Sequence, residues 1–182
     1  MPSDAELVER SRKGDESAFR LLVHQHEQQV RSIVISMLGD TAEADDVAQE
    51  VFIRFYRSIQ DFRGEAALST YLSRIAINLS LNEIKRRETR HMRIAFFHGN
   101  EAPADKADSR ADPERQEIRE AVQKALQLLE PDFRAVVVLR LVDGYSVKET
   151  AEILQLPQGT VASRLARGQE KLKDILLKWK IL

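Results

Sequence analysis

Three groups of side chains in this 182-residue chain have the types and spacing to do chemistry. The first is Asp45, Asp46, Gln49 and Glu50, which a helix gathers on one face. Such a face offers carboxylates to a metal, to acid–base chemistry or to a basic partner. Side chains one turn apart on an exposed face build no closed, water-excluding cage, and no histidine joins them in sequence, so docking is expected and catalysis is not. The second group is Tyr71, Arg74, Asn78, Asn82 and Lys85, recurring opposite the apolar Leu72, Ile75, Ala76 and Leu79. A ring, two amides and basic groups on one strip suit unstacked bases of single-stranded DNA, where each base stacked on an aromatic contributes about 1–3 kcal/mol. The third is Thr160, Ser163, Arg164 and Arg167, short donors and arginines in the first half of a helix, where base edges of a major groove come within reach. Lys171 and Lys173, further along, suit phosphate.

The elements that must hold these groups are helical. Asp15 starts an amphipathic segment carrying Ala18, Phe19, Leu22, Val23, Val30, Ile33, Val34 and Met37, and Gly39 stops it. Asp40, with Glu43 three residues on, reads as the cap of a second helix whose inner face is Ala44, Val47, Ala48, Val51, Phe52, Phe55 and Ile59. The stretch 61–66 breaks the period and reads as a loop. A third helix from about Ser69 ends in the basic cluster Lys85, Arg86 and Arg87. Periodicity fails from Glu88 to Asp112, which reads as a flexible linker, and returns after Asp112-Pro113, a capping residue followed by proline. Pro131 opens a further helix that Gly144 closes. Ser146 to Glu149 has the form of a capping box, Pro157 forces a turn, and a final helix runs from about Gln158. A short helix, a tight turn and a longer helix with a basic outer face is the helix-turn-helix arrangement. The fold class expected is therefore all-α, with domains at residues 1–90 and 113–182 joined by a linker at 91–112.

Composition agrees and excludes much else. With 43% hydrophobic, 31% charged, seven glycines and five prolines, the chain reads as an ordinary helical protein. The absence of cysteine excludes disulfides, thiolate metal sites and thiol catalysis and points to a reducing, cytoplasmic setting. No signal sequence or apolar run long enough to span a bilayer is present. There is no glycine-rich phosphate loop, no nucleophile elbow and no zinc-binding His-Glu-x-x-His, so neither an enzyme nor a cofactor is expected. The net charge of −1 hides a segregation: residues 39–50 hold five acidic and no basic residues, whereas 164–180 hold six basic and two acidic ones. At this point a self-sufficient helix-turn-helix regulator, whose N-terminal helices dimerise or sense a ligand, and a helical adaptor whose basic face binds acidic proteins both remain open.

Two blocks narrow the choice. Residues 45–52, DDVAQEVF, are followed by Phe62-Arg63-Gly64-Glu65 and Thr70-Tyr71-Leu72; residues 144–151, GYSVKETA, are followed by 159–165, GTVASRL. In this order and separation they resemble a bacterial RNA polymerase sigma factor of the extracytoplasmic-function type. The resemblance implies a non-enzymatic, dissociable polymerase subunit that selects and opens promoters. It places Asp45, Asp46, Gln49 and Glu50 on the helix that docks on the clamp coiled coil of the largest polymerase subunit. It assigns the loop 62–67, with Arg63, and the strip containing Asn78 and Asn82 to capture of a flipped-out minus-ten strand, with Lys85, Arg86 and Arg87 on phosphates. Thr160, Ser163, Arg164 and Arg167 would read the minus-thirty-five duplex. An anti-sigma partner is implied too, with exposed apolar residues of both domains as its surface. Four positions depart from the usual pattern: Tyr71 replaces a tryptophan, Gln155 a turn glycine and Ala162 a lysine, and Pro157 sits near the recognition-helix cap. A coil of about 25 residues spans roughly 25–30 Å and at most about 80–90 Å. Promoter elements two helical turns apart are separated by roughly 70 Å, so the linker reaches only when stretched. In the free chain the domains are expected to be mobile or folded on each other.

Overall fold

The computed structural model describes residues 2–97 and 113–181. Helices α1 (Asp4–Arg12), α2 (Glu16–Leu38), α3 (Ala42–Ser58) and α4 (Leu68–Phe97) form a first module. Helices α5 (Pro113–Gln127), α6 (Pro131–Val137), α7 (Val147–Leu154) and α8 (Gln158–Lys178) form a second. No strand occurs among the described residues, and the all-α expectation holds.

The centre of the first module is α2, against which α1, α3 and α4 all pack. Its residues Leu22, Val30, Ile33, Val34 and Met37 are fully buried, as their spacing demands, each contributing about 1.5–3 kcal/mol. Asp15 caps α2, its carboxylate accepting from the amides of Ser17 and Ala18; the Ser17 hydroxyl at 2.6 Å, then the Ala18 amide and Arg10, hold its pKa far below the usual value. Helix α1 has no counterpart in the periodic pattern of the sequence. Ser3 caps it, Leu7 and Val8 anchor it to α2, and Arg12 reaches across to donate to the carbonyls of Ile59 and Phe62.

Local details differ from expectation in other places. The cap of α3 is Thr41, whose hydroxyl accepts from the amide of Ala44, while Asp40 lies 3.6 Å from Arg31 instead. Helix α4 does not stop at Arg87 but runs to Phe97, since nothing from Glu88 onward in that stretch is a glycine or proline. The foreseen linker is therefore helical at its start; its remainder and the Asp112 cap lie outside the described residues. On α4, Ile77 and the small Ser73 and Ser80 are buried along with Leu72, Ala76 and Leu79, while Ile75 is only half-buried. The helix is covered on two sides, by α2 and α3 and by the second module.

In the second module α6 passes into a π-helical turn at Val138–Val142 before Gly144, in the left-handed region at φ 75°, closes it. Helix α8 crosses α6 at Gly168, where a β-carbon would stand 2.7 Å from a methyl of Val137 and 3.4 Å from Cβ of Phe133. Only glycine permits that approach. The core continues from one module into the other, so that Leu126, Leu129, Val138, Leu139 and Ile153 belong to the same cluster as Ile33, Leu72 and Ile77.

The joint is also polar. Of the last carbonyls of α2, that of Ile35 accepts from the Gly39 amide at 2.8 Å, while those of Ser36, Met37 and Leu38 have no partner within the helix. Gln123 donates to Ile35 O, Gln127 to Ser36 O at 3.0 Å, Arg134 to Met37 O at 2.5 Å, and Arg87 to Leu38 O at 2.9 Å. Arg134 is 7% exposed and also donates to Gln127 Oε1, Gln127 O and Leu129 O. Burial lowers its pKa to about 10, which leaves it charged at neutral pH against the negative end of the helix dipole. Tyr145, buried in the second module's loop, has its hydroxyl 2.7 Å from both Gln29 Nε2 and Ser73 Oγ of the first.

Candidate nucleic-acid interface

The acidic face of α3 is only half available. Asp45 is bonded to Arg31 at 2.6 Å and Glu50 to Arg54 at 3.0 Å. Asp46 and Gln49 are exposed and make no side-chain bond among the described residues. The same ridge continues with the exposed apolar side chains Ile53 and Tyr56.

On α4 the structure brings Asn78, Asn82, Lys85 and Arg86 together on one exposed ridge. Asn82, Lys85 and Arg86 line a shallow depression of about 540 Å³ with Thr89 and Arg90. Arg86 is bonded to Glu83 at 2.7 Å, which raises its pKa. Tyr71 and Arg74 sit differently from that ridge. Tyr71 is half-buried, edge-on to Phe62 at 5.0 Å and Phe55 at 6.0 Å between centroids, with its hydroxyl 3.1 Å from Ser58. It seats the loop before α4. Arg74 is partly buried with Nε unpaired, and Arg63 extends from the loop, 84% exposed, near Glu65. Arg87 points the other way: it donates to Leu38 O and Thr41 Oγ1 and lies 3.5 Å from Glu83 and 3.7 Å from Glu43. Its geometry clamps the corner between α2 and α3.

The second module presents α7 and α8 around a tight turn. Both halves of the capping box form, Ser146 Oγ accepting from the Glu149 amide at 3.2 Å and Glu149 Oε2 from the Ser146 amide at 2.8 Å. The Ser146 hydroxyl, and after it the Ser146 amide, hold the Glu149 carboxyl below its usual pKa. Gln155 ends α7 in the left-handed region at φ 54°, and Pro157 begins α8. Along α8, Ser163 is exposed and donates to Thr160 O, Thr160 is half-buried, and Arg167 is exposed with no acidic partner among the described residues. Arg164 and Lys171 are engaged: Arg164 lies 2.7 Å from Asp132, and Lys171 is bonded to Glu130 with its ammonium 5.2 Å from the centre of the Phe133 ring. The acids flank Pro131 at the start of α6, and only their position on either side of that proline, close to the basic helix in the fold, marks them.

The two basic surfaces face each other. Lys85 of α4 and Thr160, Ser163, Arg164 and Arg167 of α8 border one groove of about 670 Å³, floored by Leu81, Ile84, Pro131 and Phe133. That volume suits a small ligand and is far too small for a duplex. Among the described residues no group of histidines or acids is arranged to hold a metal ion. No described helix is long and apolar enough to cross a membrane.

Fold and surface together define a two-module helical protein with a helix-turn-helix at its end and a second, amide-rich basic ridge before it. The sequence matches Sigma-70 region 2 over residues 22–90 and Sigma-70 region 4 over residues 119–172. It is 37% identical over 180 residues to the RNA polymerase sigma-H factor of Pseudomonas aeruginosa, covering 95% of this chain and 93% of that protein. It is 36% identical over 179 residues to the ECF RNA polymerase sigma-E factor of Escherichia coli K12, covering 94% and 93%. Two solved structures share the fold: CnrH in complex with the cytosolic domain of CnrY (TM-score 0.68, 24% identity, 95% of this chain and 96% of that one) and the sigma factor RpoE with the anti-sigma factor NepR from Bartonella quintana (0.69, 21%, 87% and 96%). The chain belongs to the sigma-70 family and, within it, to the ECF RNA polymerase sigma factors. Members of this family are non-enzymatic transcription initiation factors.

Proposed function

We propose that this chain binds core RNA polymerase through the exposed end of α3, captures the minus-ten element as an unstacked single strand on α4, and reads the minus-thirty-five element as duplex with α8. In this division Asp46 and Gln49 make the polymerase contact, and Asp45 and Glu50 join once Arg31 and Arg54 release them. Asn78 and Asn82 meet bases, Lys85 and Arg86 meet phosphates, and Arg63 follows the strand from the loop. Thr160, Ser163 and Arg167 address base edges, while Arg164, drawn with Lys171 toward the α6 start, joins it on the DNA backbone rather than on a base. Residues 1–90 and 113–182 act as separate domains on the promoter. The observation that carries the reading is the presence on one chain of two nucleic-acid surfaces of different chemistry, an amide ridge for open strands and a capped helix-turn-helix for duplex. Because both now border one small groove, binding the two elements requires the modules to part. An anti-sigma partner belongs to the same reading, as RpoE has in NepR, with Ile53 and Tyr56 on one module and Leu128, Leu141 and Val142 on the other as exposed apolar contact points. The reading also places the chain in the cytoplasm, where polymerase is.

The test is reconstitution with bacterial core polymerase. The wild-type chain should confer new start sites. Asp46→Arg should lose at least about thirtyfold in core binding, as charge reversal at a desolvated contact does. Asn78→Ala should bind core normally while open-complex formation falls about tenfold. Tight duplex binding by the chain alone, with core polymerase unaffected, would overturn the proposal in favour of a polymerase-independent regulator.

A further inference from the structure

Arg164 and Lys171 stand two turns apart on α8 and point to the same side, and each is paired with a carboxylate of the α6 start. Arg167, between them in sequence, does not. The two acids are themselves at the surface, with Asp132 61% and Glu130 55% exposed, so burial does not force the pairing. Neither pair is needed to close the core, which Val136, Ala151 and Val161 complete beneath them. A carboxylate on a guanidinium offers the same charge-assisted geometry as a DNA phosphate oxygen, and the two cannot occupy the same donors at once.

We propose that Glu130 and Asp132 are internal competitors for the DNA backbone, occupying the phosphate-binding donors of α8 and so weakening its grip on duplex in general. The proposal rests on the reading of α8 as the duplex-binding helix. Its consequence is selective. Non-specific affinity comes almost wholly from phosphate contacts, whereas a matching site adds base contacts through Thr160, Ser163 and Arg167 that the acids leave free. Competition therefore lowers binding to arbitrary DNA more than binding to a cognate element. Polymerase, with its own hold on the promoter, makes up the difference.

The experiment titrates the full chain against random-sequence duplex at several salt concentrations. Exposed ion pairs are modest, so Asp132→Asn should tighten binding about two- to fivefold, and Glu130→Gln with Asp132→Asn about tenfold. The salt dependence should steepen by about one in log–log slope for each pair removed, because each cation freed to meet a phosphate releases about one counterion condensed on the DNA. In an Arg164→Ala background Asp132→Asn should have no effect. Unchanged helicity and melting confirm that the variants fold. If Asp132→Asn weakens binding, the acid positions Arg164 and the proposal fails; if it tightens binding equally without Arg164, bulk charge is responsible and the proposal fails again. If Arg164→Ala and Arg167→Ala leave binding untouched, the reading of α8 itself is what has failed.

Discussion

The ridge on α4 and the ridge on α8 are both built for nucleic acid, yet the first is offered to solvent and the second is restrained. Among the described residues the side chains of Asn78, Asn82 and Lys85 on α4 have no bonded partner, and of that ridge Arg86 alone is paired, with Glu83, whereas both Arg164 and Lys171 on α8 are tied to acids within their own module. The same asymmetry appears in how the modules are completed. The first is a closed four-helix unit with an aromatic cluster of Phe19, Phe55, Phe62 and Tyr71 sealing one end. The second supplies the donors that satisfy the end of α2. The first module can therefore keep its shape when the joint opens, whereas the second gives up bonds that also order Arg134.

Removing Arg134 strikes this dependence hardest. Arg134→Met keeps most of the apolar stem but leaves the carbonyls of Met37, Gln127 and Leu129 without their donor. Buried acceptors left unpaired cost about 1–3 kcal/mol each, with some relief as water enters, so a loss of about 3 kcal/mol is expected. Trp179, the only tryptophan, follows α8 and reports the second module. In urea its fluorescence transition should move to lower denaturant and separate from the loss of helicity in the first module. A single transition at the wild-type midpoint would mean that the modules do not differ in this way.

A smaller effect is expected from pH. Asp143 sits beside Ser32 of α2 with one carboxylate oxygen buried and unpaired, and burial pushes its pKa up to about 6 although the Ser32 hydrogen bond pulls the other way. Tyr145 lies on the same loop, and Arg140, in the π-helical turn before it, donates from its guanidinium to Tyr145 O. A carboxyl whose pKa is higher in the closed state than the ordinary 3.8 favours closure when protonated. Closure should thus be strongest below about pH 4, weaken as pH rises to about 6, and level off above. Asp143→Asn should remove that window and favour the closed form at neutral pH by about 1–2 kcal/mol, less than the full shift because the carboxyl keeps some contact with water. Energy transfer between dyes on α3 and α8 would measure it, and a flat response in the wild type would exclude Asp143 as a contributor.

What the sequence made legible follows from how local each signal is. The α7–turn–α8 unit was readable because Ser146, Glu149 and Pro157 act within a few residues of themselves. The acidic face of α3 was readable from period alone. Helix α1 was missed because nine residues with only Leu7 and Val8 as apolar anchors carry little periodicity. Tyr71 was placed on the open strip because nothing near it in sequence announces that Phe62 folds back onto its ring. Arg87 and Arg86 look alike as residues, and only the distant Leu38 and Thr41 separate their geometry. The contacts of Arg134 and Tyr145 span about a hundred positions, beyond any pattern read along the chain.

The least costly difference between the modules is in the backbone. Every left-handed position described in the first module is a glycine, at Gly14, Gly39 and Gly64, whereas the helix-turn-helix puts Gln155 there, at φ 54° and ψ 45°. A residue with a β-carbon is strained in that region by roughly 1 kcal/mol, partly offset because glycine loses more freedom on folding. The amides on either side of the turn are satisfied, with Gln155 N donating to Ala151 O and Leu156 N to the same carbonyl at 3.0 Å, so a substitution has no hydrogen bond to lose. Gln155→Gly should therefore stabilise the second module by about 0.5 kcal/mol, raising the midpoint followed by Trp179 and leaving the first module where it was. A lower midpoint would show that the glutamine side chain holds the turn, and that the departure from glycine here relieves more strain than it creates.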